Sequence, residues 1–478
     1  MLPRIITRIA GWVVAVFYDV TRSGPRTPPG PVLVVANHPN ALVDPVIIFR
    51  TAGRATRPLA KAPLFEQAVL GTMLKGLGGL PVYRRQDDPA RMHLNDQTFD
   101  AAIEALRRGG AVQIYPEGHS HSEPSLTPLR TGAARIALWA EQRGDWRLGL
   151  KIQPVGLTYT RKHLFRGGAL AVYGEPFEVA PFRARFEEDG REAVREVTDL
   201  IQERLERLTL NFDHPEDREL VDVAERLYAS QKRLAHPRER RPMVDRLPTL
   251  QRFADGLRWV READPERHAR LRGGVRRYLR LLTLFGASEG DVPTRYPLGA
   301  VLRYSARQLA MLLAVLPLAL AGAVAWYVPF VLTRYVAPRF RPELDQLATY
   351  KLGTAILAFP LWYFAVTAGL LVGMGTRVAL VGAVGLPLAG LAAIAWRDRQ
   401  ATVREDVRVY IRARRRSQSR DRLAEQRTWL VEELDAVGRE WRRSREEAGA
   451  RAETRSPAGT GTSDHGELDL PGGVAPTG

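Results

Sequence analysis

The chain has 478 residues, of which 45% are hydrophobic, and it carries 70 basic against 53 acidic residues, for a formal net charge of +17. This length and apolar content are enough to bury a core, and they exclude a chain that is disordered throughout. The sequence contains no cysteine, which excludes a disulfide framework, a thiolate zinc site and a cysteine nucleophile.

The first 30 residues contain a short apolar run that is predicted to lie in a membrane interface. Residues 9–18 carry no charge and are flanked by Arg8 and Asp19. A run of this length is too short to cross a bilayer, so we predict an interfacial helix with Trp12 and Phe17 facing the acyl chains. A secretory signal is the alternative, although no small-residue cleavage site follows the run.

Residues 31–210 alternate between strand-like and helix-like segments, which indicates an α/β domain. The strand candidates are short apolar runs at residues 32–36, 80–83, 111–115, 152–155 and 169–173. Helices are predicted at residues 96–108 and 131–143. A closing helix is predicted from residues that recur at helical spacing, namely Val194, Val197, Ile201, Leu205 and Leu208.

Strand-like patterns end at residue 211, and charged helical patterning over residues 211–305 predicts a separate helical region. Long uncharged runs follow within residues 306–397, at 308–333, 352–376 and 378–396. Each run is long enough to span a bilayer, and the alternative is a set of helices buried in a large soluble core. Because Arg377 alone separates the last two runs, they form a tight hairpin or only partly enter the bilayer.

Charge next to these runs bears on their orientation. Residues 397–422 hold ten arginines against four acidic residues, which the positive-inside rule assigns to the cytoplasm. Three full crossings would then place the α/β domain outside, whereas a re-entrant segment or a shallow hairpin would remove the conflict. Residues 398–447 are predicted to form a basic amphipathic helical tail, at the membrane surface or solvated, and residues 448–478 to be disordered.

Chemistry-bearing residues lie at the predicted ends of two strands. Residues 37–45 read NHPNALVDP, so His38 directly follows a strand and Asp44 lies where the next helix begins. An imidazole beside a carboxylate is the pair needed to take a proton from a hydroxyl, although Asp44 could instead cap a helix. Residues 78–85 read GGLPVYRR, and the guanidinium of Arg84 is suited to a phosphate or to an acidic partner.

Two further segments complete the set. Residues 114–122 read IYPEGHSHS, where a turn at Gly118 can present backbone amides to an anion and Glu117 can hold a hydroxyl or orient an arginine. His119 and His121 flank Ser120, but no further cluster with metal-ligand spacing is evident, so no metal site is predicted. Residues 153–159 read QPVGLTY, a strand with no chemistry of its own.

In this order the four segments resemble the motifs of the glycerophospholipid acyltransferase superfamily, NHxxxxD, GxIPVxR, FPEGxS and a proline-containing strand. The second and third motifs match at Gly78, Pro81, Val82, Arg84, Pro116, Glu117, Gly118 and Ser120, and Arg130 begins a segment where the family has Lys-x-Gly. The resemblance covers residues 31–177. Five residues separate the histidine from the aspartate instead of four. In this longer gap and in its C-terminal membrane segments, the chain resembles the branch of the superfamily that acylates glycerol 3-phosphate or dihydroxyacetone phosphate.

The resemblance implies an α/β domain with a mixed sheet flanked by helices, in a membrane-bound O-acyltransferase of phospholipid biosynthesis. It implies that His38 and Asp44 are catalytic. The substrate-binding residues that it implies are Gly78, Pro81, Arg84, Glu117, Gly118, Ser120 and Arg130. No cofactor is expected beyond the co-substrate, an acyl-CoA or an acyl-acyl carrier protein.

The expected partners are membrane lipids and a phosphorylated glycerol acceptor, not nucleic acid, and the expected location is the cell (inner) membrane with the site facing the cytoplasm. One alternative is a 1-acyl-sn-glycerol-3-phosphate acyltransferase that makes phosphatidate. Another is a non-catalytic membrane protein that binds anionic lipid.

Overall fold

The computed structural model describes most of the chain. The described residues are 11–66, 68–83, 94–123, 125–160, 162, 165–212, 214–231, 242–284, 298–339, 347–415 and 418–455. Arg84 of the second motif lies outside them.

Eight strands among the described residues form one mixed sheet. They are β1 (Tyr18–Ser23), β2 (Val32–Ala36), β3 (Thr56–Lys61), β4 (Leu80–Val82), β5 (Ala111–Ile114), β6 (Lys151–Tyr159), β7 (Gly167–Tyr173) and β8 (Phe177–Glu178). Their order in the sheet is β1-β7-β6-β2-β5-β3-β4, and β8 pairs with β6. Strand β6 runs antiparallel to β7 and β8, and the other neighbouring pairs are parallel. The predicted α/β class with a mixed sheet is confirmed.

Helices cover both faces of this sheet because its central strand is apolar on both sides. In β2, Leu33 and Val35 belong to one core cluster, and Val32 and Val34 belong to the other. The helices of this region are α1 (Val43–Thr51), α2 (Pro63–Glu66), α3 (Ala68–Gly76), α4 (Leu94–Arg107), α5 (Gly132–Arg143), α6 (Arg183–Glu188) and α7 (Gly190–Glu206). Helix α1 packs in the core with Val32, and α4, α5 and α7 pack in the core with Leu33. Such burial on both faces is typical of parallel strands.

The N-terminal segment differs from its prediction. Residues 11–17 are helical, but β1 then begins at Tyr18 and pairs in parallel with β7. Phe17, predicted to face acyl chains, is instead buried, and its ring contacts those of Tyr18 and Phe165. Trp12 is exposed. The sheet therefore begins upstream of residue 31, the predicted start of the α/β domain. The aromatic end of the apolar run, Phe17 and Tyr18, packs in the core of this domain instead of in a membrane.

The described residues of segments 215–231 and 242–284 are largely helical, and the C-terminal helix packs against them. The helices are α8 (Pro215–Gln231), α9 (Met243–Ala263), α10 (Pro265–Leu284) and α15 (Gln418–Arg455). They share a core that includes Leu227, Tyr278 and Leu430, and Arg267 of α10 donates to Glu433 of α15 at 2.5 Å.

This packing corrects two expectations for the C-terminal part of the chain. Residues 418–447, predicted as a membrane-surface or solvated tail, bury Leu423, Leu430, Leu434 and Val437 against the other helices. The same helix continues to Arg455, past residue 448, where disorder was predicted to begin. Residues 456–478 lie outside the described residues.

Among the described residues, three helices are long and apolar enough to cross a membrane. They are Arg303–Ala325, Gly353–Met374 and Thr376–Ala401. These spans lie in α11 (Leu298–Ala325), α13 (Leu347–Met374) and α14 (Thr376–Arg415), and α12 (Tyr327–Arg339) lies between the first two. The predicted run at residues 308–333 is therefore divided at Trp326. Helices α13 and α14 form a tight hairpin at Gly375, whose φ of 84° is in the left-handed region that favours glycine.

Tryptophan side chains join the apolar helices to one another. The indole N–H of Trp326 donates to a carbonyl of α14, that of Trp362 to the end of α11, and that of Trp396 to the middle of α11. The acceptors are the carbonyls of Leu386 at 2.9 Å, Ala325 at 2.7 Å and Leu312 at 2.9 Å. Each bond pairs a polar group inside an apolar bundle, where an unpaired one would be costly.

Candidate active site

The site forms where two neighbouring parallel strands end. Strands β2 and β5 pair with Val35 opposite Ile114, so the loops that follow them leave the same edge of the sheet. The first loop begins with Asn37, whose side-chain amide donates to the Leu157 carbonyl at 3.0 Å and accepts from the Leu157 amide at 2.7 Å. Asn37 thus extends the pairing of β2 with β6 and fixes the direction in which the chain leaves the strand.

The predicted pair, His38 and Asp44, is in direct contact. His38 Nδ1 lies 2.9 Å from Asp44 Oδ2, and the Asp44 side chain is completely buried, whereas that of His38 is 18% exposed. With Nδ1 bonded to the carboxylate, Nε2 is the ring nitrogen that can take a proton from an acceptor. An imidazole held in one tautomer by a buried carboxylate has the arrangement of a general base.

The loop between the two residues accommodates its fifth residue by a local bulge. Ala41 has a φ of 36°, and the Val43 amide closes a turn on the Asn40 carbonyl at 2.9 Å. The Asn40 amide also donates to Asp44 Oδ2 at 2.8 Å. The positive φ of Ala41 costs about 1–2 kcal/mol, and it lets the longer loop return Asp44 to the imidazole.

Tyr115 contacts the His38 ring face to face. The two ring centroids are 4.1 Å apart with an interplanar angle of 19°. Tyr115 is buried and its hydroxyl donates to Gln113 Oε1 at 3.2 Å. The stacked ring limits rotation of the imidazole, a role that the sequence motif did not indicate.

Glu117 joins the two loops instead of facing open space. Its Oε1 accepts from the His38 amide at 2.7 Å, and its Oε2 accepts from Thr127 N at 2.9 Å and Thr127 Oγ1 at 2.8 Å. The imidazole of His121 also bonds to Oε2. Burial alone would raise the pKa of Glu117, but the bonds from His121 and Thr127 outweigh it and hold this pKa below its ordinary value. Glu117 is therefore an ionised tie between the loops, not an open ligand for an acceptor hydroxyl.

Gly118 is the point at which Arg130 comes close to the turn. Gly118 has a φ of 78°, and a Cβ added there would lie 2.7 Å from Arg130 Nε. The Gly118 amide donates to the Tyr115 carbonyl at 3.0 Å, so it closes the turn and does not serve an oxyanion. The Arg130 side chain is exposed and lies over this turn, beside the loop that carries Glu117.

Ser120 and a lysine that the sequence did not indicate lie around the same turn. Ser120 is partly buried within it, and the neighbouring His121 amide donates to the His38 carbonyl at 3.1 Å. The ammonium of Lys162 donates to the Pro39 carbonyl at 3.0 Å and to Ser122 Oγ at 2.6 Å. Lys162 therefore ties the His38 loop to the turn from its outer side.

The second motif contributes structure at its described positions. Gly78, with a φ of 69°, ends α3, where its amide donates to the Lys75 carbonyl at 3.0 Å. Pro81 lies in the edge strand β4 and its carbonyl accepts from Thr98 Oγ1 at 2.6 Å; an edge is where a strand tolerates proline. Gly78 and Pro81 therefore shape the end of α3 and the edge strand that precedes Arg84 in the sequence. The hydrogen bonds given above join them to Lys75 and Thr98, not to His38 or Asp44.

Known proteins resemble this part of the chain. Residues 19–158 match the sequence model of the Acyltransferase family. An uncharacterized acyltransferase of Schizosaccharomyces pombe is 25% identical over 45% of this chain and 46% of its own length. Glycerol-3-phosphate O-acyltransferase 2 of Saccharomyces cerevisiae is 33% identical over 28% of this chain and 18% of its own length. The 1-acyl-sn-glycerol-3-phosphate acyltransferase of Bacillus subtilis is 28% identical over 32% of this chain and 69% of its own length.

The family match at residues 19–158 runs from β1 to β6 and includes the loops between them, whereas β7 and β8 follow it. The chain spans less than half the length of the two fungal relatives, and the family match ends in β6. The matched segment contains both loops that meet at His38. Residues 19–158 therefore match an acyltransferase domain, and the named relatives support its similarity to the glycerophospholipid acyltransferase superfamily.

Proposed function

We propose that this protein is a membrane-bound O-acyltransferase that transfers a fatty acyl group from a thioester donor to a hydroxyl of glycerol 3-phosphate or dihydroxyacetone phosphate. The observation that carries the proposal is the partly exposed His38 imidazole bonded at 2.9 Å to the buried Asp44 carboxylate. The likeness of the domain to glycerol-3-phosphate O-acyltransferase 2 of Saccharomyces cerevisiae favours this acceptor class.

In the proposed reaction His38 acts as the general base. Its Nε2 takes the proton of the acceptor hydroxyl while the hydroxyl oxygen attacks the thioester carbonyl, and Asp44 stabilises the imidazolium that forms. Collapse of the tetrahedral intermediate breaks the carbon–sulfur bond, and the departing thiolate takes the proton from His38. The donor, an acyl-CoA or an acyl-acyl carrier protein, is already activated, so positioning and proton transfer supply the rate without a resident cofactor.

The acceptor phosphate is assigned to arginine. The exposed guanidinium of Arg130 lies over Gly118, next to the loop that Glu117 ties to His38. A guanidinium can bind a phosphate through two parallel hydrogen bonds. Arg84, which the motif places after β4, is the second proposed phosphate ligand, and it lies outside the described residues. Glu117 then acts on substrate indirectly, by holding the two loops together.

A 1-acyl-sn-glycerol 3-phosphate is the second candidate acceptor. It is favoured by the match to the Bacillus subtilis enzyme of that name, which extends over 69% of that enzyme. The same dyad would then acylate the remaining hydroxyl and yield phosphatidate, so the two candidates differ in the acceptor and not in the chemistry.

The contacts of the apolar helices support a membrane arrangement with paired hairpins. Helix α11 runs antiparallel to α14, since Arg399 donates to Gln308 at 2.7 Å near one end and Trp326 donates to Leu386 at 2.9 Å near the other. Helix α12 then returns, because the ring of Phe330 approaches that of Phe165 in the acyltransferase domain, with 6.3 Å between centroids. Helices α11 and α12 thus form one hairpin, and α13 and α14 form another.

This arrangement brings the acyltransferase domain to the base of both hairpins. Asp398 of α14 pairs with Arg166 of the domain at 3.1 Å, and the Arg397 guanidinium lies 5.6 Å from the centre of the Phe165 ring. We propose that α11 and α12 enter and leave the bilayer on one side, and that the catalytic domain shares this side with the basic segment at residues 397–422. The positive-inside rule assigns that side to the cytoplasm, here of the cell (inner) membrane.

An acceptor-by-donor panel tests the proposed reaction. Membranes containing the protein are incubated with labelled acyl-CoA or acyl-acyl carrier protein and with glycerol 3-phosphate, dihydroxyacetone phosphate or 1-acyl-glycerol 3-phosphate. We expect labelled lysophosphatidate, or its dihydroxyacetone counterpart, as the first product. Phosphatidate formed from the acylated acceptor alone would favour the second candidate. No acylation of any of the three would contradict both and leave a non-catalytic protein that binds anionic lipid.

A further inference from the structure

The Asp44 carboxylate has a partner that neither the motifs nor the comparisons assign. The hydroxyl of Tyr159, at the end of β6, donates to Asp44 Oδ1 at 2.5 Å. His38 and the Asn40 amide both bond to the other oxygen, Oδ2. The two carboxylate oxygens are therefore used differently: Oδ2 faces the imidazole, and Oδ1 is held from the sheet.

Tyr159 is itself held firmly. Its side chain is buried and its ring packs edge-on against that of Tyr18, with 5.5 Å between centroids. The Tyr18 hydroxyl in turn accepts from Asn40 Nδ2 at 2.9 Å. Burial, followed by the nearby Asp44 charge, raises the pKa of Tyr159 well above its ordinary value, so the phenol remains a proton donor to the carboxylate.

The bulged loop explains why such a support is useful. Asp44 follows a loop in which Ala41 has a positive φ, so the loop alone does not give the carboxylate a relaxed path to His38. Strand β6 pairs with β2, and this pairing fixes Tyr159 relative to the strand that carries His38. The hydrogen bond from Tyr159 therefore fixes the position of the Asp44 carboxylate relative to the sheet, in addition to the contacts that Asp44 makes within its own loop.

We propose that Tyr159 is a positioning residue for acyl transfer: its hydroxyl holds Asp44 in the orientation in which that carboxylate bonds to His38. This inference rests on the proposed function and adds to it a residue 115 positions away from the aspartate. Tyr159 acts through Asp44 and does not itself exchange a proton with substrate.

The experiment compares Tyr159→Phe with a matched control, Tyr173→Phe. Tyr173 is also a buried tyrosine of the sheet, but its hydroxyl bonds to Thr51 Oγ1 at 2.8 Å. We expect Tyr159→Phe to lower kcat about tenfold, the loss that corresponds to one hydrogen bond to a charged group, with KM changed less than about twofold because substrate binding is not touched. Tyr173→Phe should keep the wild-type kcat.

A double-mutant cycle separates positioning from a general structural effect. If Tyr159 acts through Asp44, adding Tyr159→Phe to Asp44→Ala, which has no acceptor for the Tyr159 hydroxyl, should cause no further loss of kcat. A tenfold loss in both backgrounds would overturn the inference, as would an active Tyr159→Phe enzyme with unchanged kcat.

A readout without turnover keeps this inference distinct from the proposed function. In histidine-labelled protein, the Nδ1–H proton resonance of His38, identified by its loss in His38→Ala, should shift or broaden in Tyr159→Phe and not in Tyr173→Phe. Absence of acyl transfer in wild type would defeat the proposed function, whereas an unchanged resonance in Tyr159→Phe would defeat this inference.

Discussion

At the scale of single residues, Glu117 ties together the loops that form the site. Its carboxylate is buried and accepts from the His38 amide at 2.7 Å and from the amide and hydroxyl of Thr127 at 2.9 and 2.8 Å. An amide in its place keeps one oxygen but turns the other acceptor into a donor. The partly buried Thr127 and His121 groups would then lose an acceptor, and leaving such groups unpaired is costly.

We therefore expect Glu117→Gln to lower the free energy of unfolding by about 1–3 kcal/mol at neutral pH. Because the folded pKa of Glu117 is lower than its ordinary value of 4.5, the ionised group stabilises the fold fully above pH 4.5, and this contribution is lost as pH falls through the folded pKa. Thermal unfolding of the two proteins between pH 7 and pH 3 measures the difference.

Glu104→Gln is the control, since Glu104 lies on an exposed helix face and pairs with Arg108 across the surface. It should change stability by less than about 1 kcal/mol at any pH. A destabilisation by Glu117→Gln that stays constant down to pH 3 would contradict ionised Glu117 as the tie.

The sequence predicts one part of this site better than the other. His38 and Asp44 share one loop, so their contact could be predicted from spacing and resemblance, although the bulge at Ala41 could not. Tyr159 and Lys162 approach that loop only because β6 pairs with β2, a pairing between distant parts of the chain. Alternation along residues 151–159 could have indicated that Tyr159 faces the same core as Val155, but not that it reaches Asp44.

At the scale of elements, a proline in an apolar helix leaves a backbone carbonyl without its helical hydrogen bond, and an aromatic side chain donates to that carbonyl instead. Pro387 has no amide hydrogen for the carbonyl of Ala383, four residues earlier in α14. The hydroxyl of Tyr363, in α13, donates to that carbonyl at 3.0 Å. The same bond joins the two arms of the hairpin.

We expect Tyr363→Phe to destabilise the helical hairpin by about 0.6–1.7 kcal/mol, the range for hydrogen bonds between helices in membranes. Pro387→Ala restores a backbone donor for Ala383, so in that background Tyr363→Phe should have little effect. Thermal unfolding of the single and double variants in detergent measures this coupling. Equal losses in both backgrounds would show that Tyr363 serves some other contact.

The predictions of strands and helices failed where contacts between distant segments, and not the local pattern of apolar residues, decided the structure. Strand β3 contains Pro58 and two basic residues, and β1 alternates polar side chains after an apolar helical turn, so neither carries a strong strand signal. The basic amphipathic pattern of residues 398–447 predicts a helix, but it does not say whether the apolar residues contact a membrane surface or a protein core. The partners of α15, helices α8 to α10, lie far away in the chain.

At the scale of the whole molecule, the hairpin arrangement makes a topology prediction that the cysteine-free chain is well suited to test. Single cysteines can be placed in the acyltransferase domain (Glu123→Cys), at the end of α12 (Arg339→Cys), at the tip of the second hairpin (Thr376→Cys) and beyond it (Ala401→Cys). A membrane-impermeant maleimide should label Thr376→Cys in intact cells, and the other three only after permeabilisation.

Three successive crossings would give a different pattern. Positions 339 and 401 would then lie on the side opposite the domain, and position 376 would lie on the same side as the domain. Finding Glu123→Cys on the opposite side of the membrane from Arg339→Cys and Ala401→Cys, whichever of them is labelled in intact cells, would therefore contradict the paired hairpins. The pattern also reports on catalysis, because it decides whether the site shares the cytoplasmic side with soluble acyl donors.

The most direct test of the catalytic account is acyl transfer by His38→Ala beside wild type, with the acceptor and donor that the panel selects. General base catalysis contributes about 10²–10⁴-fold, so the account predicts a loss of kcat of at least about a hundredfold, with a thermal unfolding temperature close to that of wild type. A folded His38→Ala protein that transfers acyl groups at the wild-type rate would contradict it.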